Sequence, residues 1–144
     1  MEKKIKVFLD SNILFSITYS GKAKSRSYLL FELQEKGVLN IYVSPLVCEE
    51  VTLNIKLKRP EHQDFLNELI GKTRLVENIL IYEDHPQIKN LPQNDRIIFL
   101  TAVYHRMDFF LTGNDRDSSK LYYQKIARTL MLRPADFLYK NFNL

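Results

Sequence analysis

Short apolar runs alternate along this chain with longer segments in which apolar residues recur at helical spacing. The runs predict buried strands at residues 5–9, 40–43, 108–112 and 126–132, with a weaker strand at 79–82. Helical spacing predicts helices at residues 12–20, 25–36, 45–53, 61–70, 96–106 and 135–141. Strands and helices therefore alternate from the first residues to the last.

This alternation predicts the fold class. Strands that alternate with helices form a mostly parallel central sheet with helices on both faces, which is a three-layer α/β sandwich. A chain of 144 residues is long enough for one such core. We expect a single domain over residues 1–144.

Composition excludes several classes of protein. Hydrophobic residues make up 45% of the chain and charged residues 26%, which is typical of a soluble globular protein. No apolar stretch is long enough to span a membrane, and the first residues lack the pattern of a signal peptide. We therefore expect a cytoplasmic protein. Cys48 is the single cysteine, so an internal disulfide is excluded.

The net charge of +4 gives a mild preference for polyanions. Three groups of basic residues are candidates for contacts with a phosphate backbone. They are Lys22, Lys24 and Arg26; Lys56, Lys58 and Arg59; and Lys120, Lys125 and Arg128. Taken one at a time, most of these side chains are also explained as solvated charges at helix ends.

Acidic and amide side chains follow the predicted strands. In α/β sheets, ligands bind beside the carboxyl ends of the strands, so side chains at these positions are candidates for a site. Asp10 follows the first strand, Glu50 lies in the helix after the second, and Asp95 begins the helix that leads into the third. Asn114 and Asp117 follow the third strand. These five side chains are expected to converge at one edge of the sheet.

Clustered carboxylates repel one another and raise each other's pKa, which favours a bound cation between them. Hard oxygen ligands select Mg²⁺, Mn²⁺ or Ca²⁺. Beside a phosphodiester, such an ion lowers the pKa of a bound water and stabilises charge on the attacking and leaving oxygens. The cluster therefore predicts metal-assisted phosphodiester hydrolysis.

Five segments resemble, in order, the motifs of PIN-domain proteins: 7–12, 44–51, 94–102, 110–117 and 130–138. The first has an acid, Asp10, followed two residues later by Asn. The second has a Ser followed six residues later by Glu50. The third opens a helix with Asp95, and the fourth has Thr-Gly-Asn followed by Asp117. The last resembles the family's final strand and Pro-led helix.

The resemblance implies a PIN-like fold and a Mg²⁺- or Mn²⁺-dependent ribonuclease, with RNA as substrate. Asp10, Glu50 and Asp95 would be the core acids, with Asp117 as a further acid. Asn114 stands where the family has its fourth acid, and it would offer a metal an uncharged carbonyl oxygen. Bacterial members of this size are often toxins of the VapC kind, so an antitoxin partner and a homodimer are implied. Asp115 matches no family position.

Other interpretations stay open at this point. Asp10 also fits a turn at a strand end, Asp95 an N-cap formed with Asn94, and residues 114–119 a polar turn. A PIN fold without activity would serve as an RNA- or protein-binding module. A receiver-type signalling domain is a less favoured alternative, because it requires a pair of acids after the first strand, where Asp10 is followed by Ser and Asn.

Overall fold

The computed structural model describes residues 3–79 and 85–144. The strands are β1 (Ile5–Leu9), β2 (Leu39–Val43), β3 (Arg74–Leu75), β4 (Phe109–Leu111), β5 (Lys125–Ile126) and β6 (Thr129–Leu132). The helices are α1 (Ser11–Ser20), α2 (Leu29–Glu35), α3 (Pro45–Lys58), α4 (Gln63–Lys72), α5 (Gln93–Tyr104), α6 (Asp115–Ser118) and α7 (Pro134–Phe142).

The six strands form one sheet in the order β3-β2-β1-β4-β6-β5. All neighbours are parallel except β5 and β6, which are antiparallel. Along the chain, strand order runs outward from β1 to β2 and β3, and then returns to the other side of β1 at β4. The order therefore reverses between β1 and β4, and in α/β sheets this switch point is where ligands bind.

Strand β1 lies at the centre of the core. Val7, Phe8 and Leu9 are fully buried, although successive side chains of a strand point to opposite faces of the sheet. Both faces of β1 are therefore covered. Phe110 of β4 stacks on Phe8 with a centroid distance of 5.8 Å and meets Phe99 of α5 edge to face at 5.0 Å. This arrangement confirms the predicted α/β class with a mostly parallel central sheet.

The strand predictions need three corrections. The single strand predicted at 126–132 is an antiparallel hairpin, because Ala127 adopts a left-handed conformation with φ of 55° and turns the chain between β5 and β6. Strand β3 was not predicted. Of the strand predicted at 79–82, Ile79 is not in a strand, and the remaining residues lie outside the described part of the chain.

The helix predictions need corrections at their ends. Helix α3 continues five residues beyond the predicted end, to Lys58. Helix α5 begins at Gln93 after Pro92, so Asp95 lies in its first turn and is not an N-cap. The N-cap interpretation of Asp95 is therefore wrong. The polar turn predicted at 114–119 contains the short helix α6.

Among the helices of the described residues, none has both the length and the apolar character needed to cross a membrane.

Candidate active site

Asp10 lies where β1 ends and α1 begins, at the switch point of the sheet. Its backbone N–H donates to the Leu111 carbonyl of β4 at 3.0 Å, which extends the parallel pairing by one residue. Its side chain caps α1 by accepting from the Ser11 N–H at 2.8 Å. The residue is 5% exposed. Asp10 is thus a buried carboxylate held at the helix N-terminus.

The second carboxylate oxygen of Asp10 accepts two further hydrogen bonds. The Thr112 hydroxyl donates to it at 2.8 Å, and the Asn12 side-chain amide donates at 3.0 Å. A carboxylate offers about four lone-pair positions, of which these neighbours and the Ser11 N–H fill three. All three donors are uncharged, so they orient the carboxylate without neutralising it.

The pKa of Asp10 is raised to about 6. Burial is the largest cause, and the negative charges of Asp95 and Glu50 raise it further. The hydrogen bonds from Thr112 and Ser11 act in the opposite direction. Within the residues that the structure describes, Asp10 forms no ion pair that would offset these effects.

Asn12 joins the loops that follow β1 and β4. Its side-chain carbonyl accepts from the Gly113 N–H at 2.7 Å, and its amide nitrogen also donates to the Thr112 hydroxyl at 3.1 Å. A Cβ atom at Gly113 would lie 3.3 Å from the Asn12 carbonyl oxygen, which is tighter than ordinary contact. Glycine at position 113 therefore permits the close approach of the two loops.

Glu50 reaches the site from α3. Ser44 caps this helix, with its hydroxyl accepting from the Val47 N–H at 3.4 Å, and Pro45 occupies the first helical position. Glu50 then accepts a hydrogen bond from the Ser11 hydroxyl at 3.0 Å. The adjacent Glu49 instead lies near Cys48, where its charge adds to burial in raising the thiol pKa.

Asn114 connects the two remaining carboxylates. Its amide nitrogen lies 3.2 Å from an oxygen of Asp95 and 3.0 Å from an oxygen of Asp117. Ionised carboxylates only accept, so the amide presents its nitrogen to them. The family resemblance implies that Asn114 would offer its carbonyl oxygen to a metal. In this conformation the nitrogen faces the carboxylates instead.

The pKa of Asp95 is raised, first by partial burial and then by the charges of Glu50 and Asp117. The hydrogen bond from Asn114 lowers it. Asp95 therefore interacts electrostatically with Glu50 on one side and with Asp117 on the other. Together with the effect of Asp95 on Asp10, these interactions place all four predicted acids and Asn114 in one cluster.

Asp115 has partners outside this cluster. It accepts from the Tyr122 hydroxyl at 2.7 Å and from the Arg133 guanidinium at 3.0 Å. These two hydrogen bonds, in that order, lower the pKa of Asp115. Burial and the bond to Asp115 raise the pKa of Tyr122. The Arg133 guanidinium also lies 4.2 Å from the centroid of the Tyr122 ring.

These contacts brace the segment that carries Asn114 and Asp117. The Tyr122 hydroxyl also lies 3.3 Å from the Thr112 carbonyl, directly before Gly113. The family resemblance had matched Asp115 to no position of the motifs. The only sequence signal was the acid itself, because its partners come from later parts of the chain.

His62 and His105 lie outside the cluster, and each contacts a backbone carbonyl. His62 contacts the Thr18 carbonyl at 2.7 Å, and His105 contacts the Glu77 carbonyl at 2.9 Å. Both distances are those of hydrogen bonds to neighbouring loops and helices. These histidines therefore stabilise the backbone near Thr18 and Glu77.

No model of a known protein family matches the sequence, and no curated protein matches it. Among solved structures, the chain is similar to a chain in the crystal structure of VapBC2 from Rickettsia felis bound to a DNA fragment from their promoter. The TM-score is 0.64 at 14% identity, over 88% of this chain and 97% of that one. The two chains share a fold.

The carboxylates of the cluster match a hard divalent cation, because carboxylate oxygens are among the ligands that Mg²⁺ and Mn²⁺ prefer. In this conformation, no group of three His, Cys, Asp or Glu side chains within residues 3–79 and 85–144 is arranged to hold an ion. Instead, the carboxylates accept hydrogen bonds from protein donors. The clearest case is the amide of Asn114, which donates to both Asp95 and Asp117. A cation can therefore bind only if a carboxylate gives up one of these hydrogen bonds and coordinates the ion in its place.

Proposed function

We propose that this protein is a metal-dependent endoribonuclease that hydrolyses RNA phosphodiester bonds at the carboxylate cluster. The observation that carries the proposal is the convergence of Asp10, Glu50, Asp95 and Asp117 at the switch point of the sheet. In the part of the chain that the structure describes, none of the four forms an ion pair with Lys, Arg or His. Gathering like charges around the buried Asp10 without a counter-charge is costly, so a cation is the partner that this cluster favours.

The chain's own residues orient the cluster. Thr112, Asn12 and the Ser11 N–H fix the carboxylate of Asp10 within the switch-point crevice. The Ser11 hydroxyl donates to Glu50, and the Asn114 amide donates to both Asp95 and Asp117. A bound Mg²⁺ or Mn²⁺ would supply an activated water and offset charge on the phosphate oxygens. The protein residues would supply the fixed positions that such chemistry needs.

The proposal extends to partners. The similar structure is a VapBC2 assembly bound to promoter DNA, and this supports an antitoxin-like protein partner for the present chain. A toxin role, a homodimer and a cytoplasmic location belong to the same proposal. A sedimentation measurement at micromolar concentration tests the dimer, and a monomer there would refute it.

Asn114 favours a second candidate function. Its amide places two hydrogen-bond donors between Asp95 and Asp117, in the position where a cation would otherwise reduce their repulsion. If internal hydrogen bonds to the carboxylates take the place of a metal ion, the protein would bind RNA or protein without cutting it. Cleavage by the purified protein separates the two functions.

The decisive assay is the cleavage of single-stranded RNA with Mg²⁺ or Mn²⁺ and with EDTA. We expect cleavage with the metal and none with the chelator. Asp10→Asn and Asp95→Asn should abolish cleavage with an unchanged circular dichroism spectrum. Asp64→Asn is the matched control, because Asp64 is an exposed carboxylate on α4. Equal cleavage in EDTA would refute the metal mechanism, and labelling by acetyl phosphate without cleavage would favour a receiver.

A further inference from the structure

An open pocket of about 410 Å³ adjoins the carboxylate cluster. One wall is shared with the cluster and contains Ser11, Asn12 and Asn114. Phe15 of α1 and Lys58, the last residue of α3, contribute to the rest of the lining. A molecule seated in this pocket would therefore touch the residues that hold Asp10, Glu50 and Asp95.

The second wall combines three kinds of side chain. Phe15 supplies an aromatic ring that is partly exposed, and Asn54 supplies an amide. Lys58 supplies an ammonium group that lies 5.3 Å from the centroid of the Phe15 ring. One turn further along α1, Tyr19 stacks on Phe15 with a centroid distance of 5.6 Å and is 42% exposed.

This combination matches a nucleotide better than other small ligands. A ring face stacks on a base, an amide donates to and accepts from a base edge, and an ammonium contacts a phosphate. A purely apolar ligand would leave Asn54 and Lys58 without partners. A simple anion would leave the Phe15 ring unused.

We propose that this pocket is a nucleotide subsite, in which one base of single-stranded RNA stacks on Phe15 and a neighbouring phosphate contacts Lys58. The inference rests on the proposed nuclease function, since it names the part of the substrate that binds beside the cluster. It assigns Phe15 and Lys58 to substrate binding and leaves the cleavage chemistry to the acids.

Lys58 must leave the ring for the base to stack there. Lys58 is exposed and its ammonium group ends a long flexible stem, so this movement costs little free energy. An ammonium over an exposed ring is a weaker partner than a stacked base. The ammonium also gains a phosphate in exchange for the ring. Because bases within a duplex are already paired and stacked, the subsite selects single strands over double-stranded RNA.

The test is RNA binding in EDTA, so that no cleavage occurs. The probe is a short single-stranded RNA that carries one 2-aminopurine, whose fluorescence is quenched when it stacks. Anisotropy reports affinity and the quench reports stacking. Phe15→Leu should weaken binding by roughly tenfold and abolish the quench, and Phe15→Tyr should retain both. Tyr139→Leu, an exposed aromatic outside this pocket, should match the wild type.

Lys58→Ala should weaken binding and lower the salt dependence of log affinity by roughly one unit, with the quench retained. Lys140→Ala is its control, because Lys140 lines a different pocket beside Asp108. Thermal melting of each variant separates lost binding from lost folding.

The outcomes distinguish this inference from the nuclease proposal. A Phe15-dependent quench without cleavage in Mn²⁺ would keep the subsite and refute the nuclease. If the wild type cleaves RNA, and Phe15→Leu binds and quenches the probe like the wild type, the subsite is overturned and the nuclease proposal stands. A wild type that neither binds nor quenches the probe would also overturn the subsite.

Discussion

The buried hydroxyl of Thr112 donates a 2.8 Å hydrogen bond to the carboxylate of Asp10, across 102 positions of the sequence. This bond joins the ends of two neighbouring parallel strands, and both side chains are nearly excluded from solvent. The donor is neutral, so it leaves the negative charge of Asp10 in place. Burial and the nearby acids outweigh it, and the Asp10 pKa stays raised at about 6.

The first prediction concerns stability against pH without metal. The folded pKa of Asp10 lies above its unfolded value, so between about pH 4 and pH 6 the folded state binds more protons. The free energy of unfolding should therefore fall as pH rises through this window, by roughly 3 kcal/mol from this group, and stay lower above it. Denaturant melts at a series of pH values measure the slope.

Asp10→Asn should flatten this slope, because the amide does not titrate. The comparison is made within each variant, so any change in absolute stability does not affect it. Asp64→Asn should keep the wild-type slope. An Asp10→Asn protein with the full wild-type slope would show that other groups cause the pH dependence.

The second prediction concerns Asn114→Asp. This change removes the amide that bridges Asp95 and Asp117 and adds a charge beside them. We expect the metal-free protein to lose roughly 1–3 kcal/mol of stability and to gain a larger stabilisation from Mn²⁺. Asn114→Ala removes the bridge without adding a charge, so its gain in stabilisation from Mn²⁺ should be smaller than that of Asn114→Asp. If Asn114→Asp is as stable as the wild type without metal, the amide bridge does not reduce the repulsion.

The third prediction concerns Tyr122→Phe. This change removes the hydroxyl that binds Asp115 and contacts the Thr112 carbonyl, but it keeps the ring against Arg133. We expect a loss of about 1 kcal/mol in stability and a several-fold lower kcat for cleavage, since the segment bearing Asn114 is held less firmly. Tyr139→Phe, at an exposed position, is the control. A stability loss with unchanged kcat would limit Tyr122 to a structural role.

Much of the fold follows from the sequence because its signals are local. Strand β1 is a short apolar run that ends at Asp10, and helix α3 has a Ser cap followed by Pro45. Strand β3 escaped prediction because its two residues, Arg74 and Leu75, are both exposed and carry no apolar pattern. The β5-β6 hairpin escaped because Ala127, which makes the turn, is not a typical turn residue.

The sequence predicts where in the fold the candidate site lies, but not the contacts within it. Residues that follow parallel strands meet at one edge, and this is where Asp10 and Asn114 lie. The hydrogen bonds between these side chains depend on contacts far apart in sequence. The amide nitrogen of Asn114, and the partnership of Asp115 with Tyr122, therefore emerged only from the three-dimensional structure.

If the acids form a cation site, Mn²⁺ must stabilise the folded protein, and the thermal response to Mn²⁺ tests this most directly. An ion that binds only the folded state stabilises it by about 2.7 kcal/mol at a hundred times its dissociation constant. The melting temperature should rise with Mn²⁺ in the wild type and in Asp64→Asn. Asp95→Asn should lose most of this rise. An equal rise in wild type and Asp95→Asn would contradict the account.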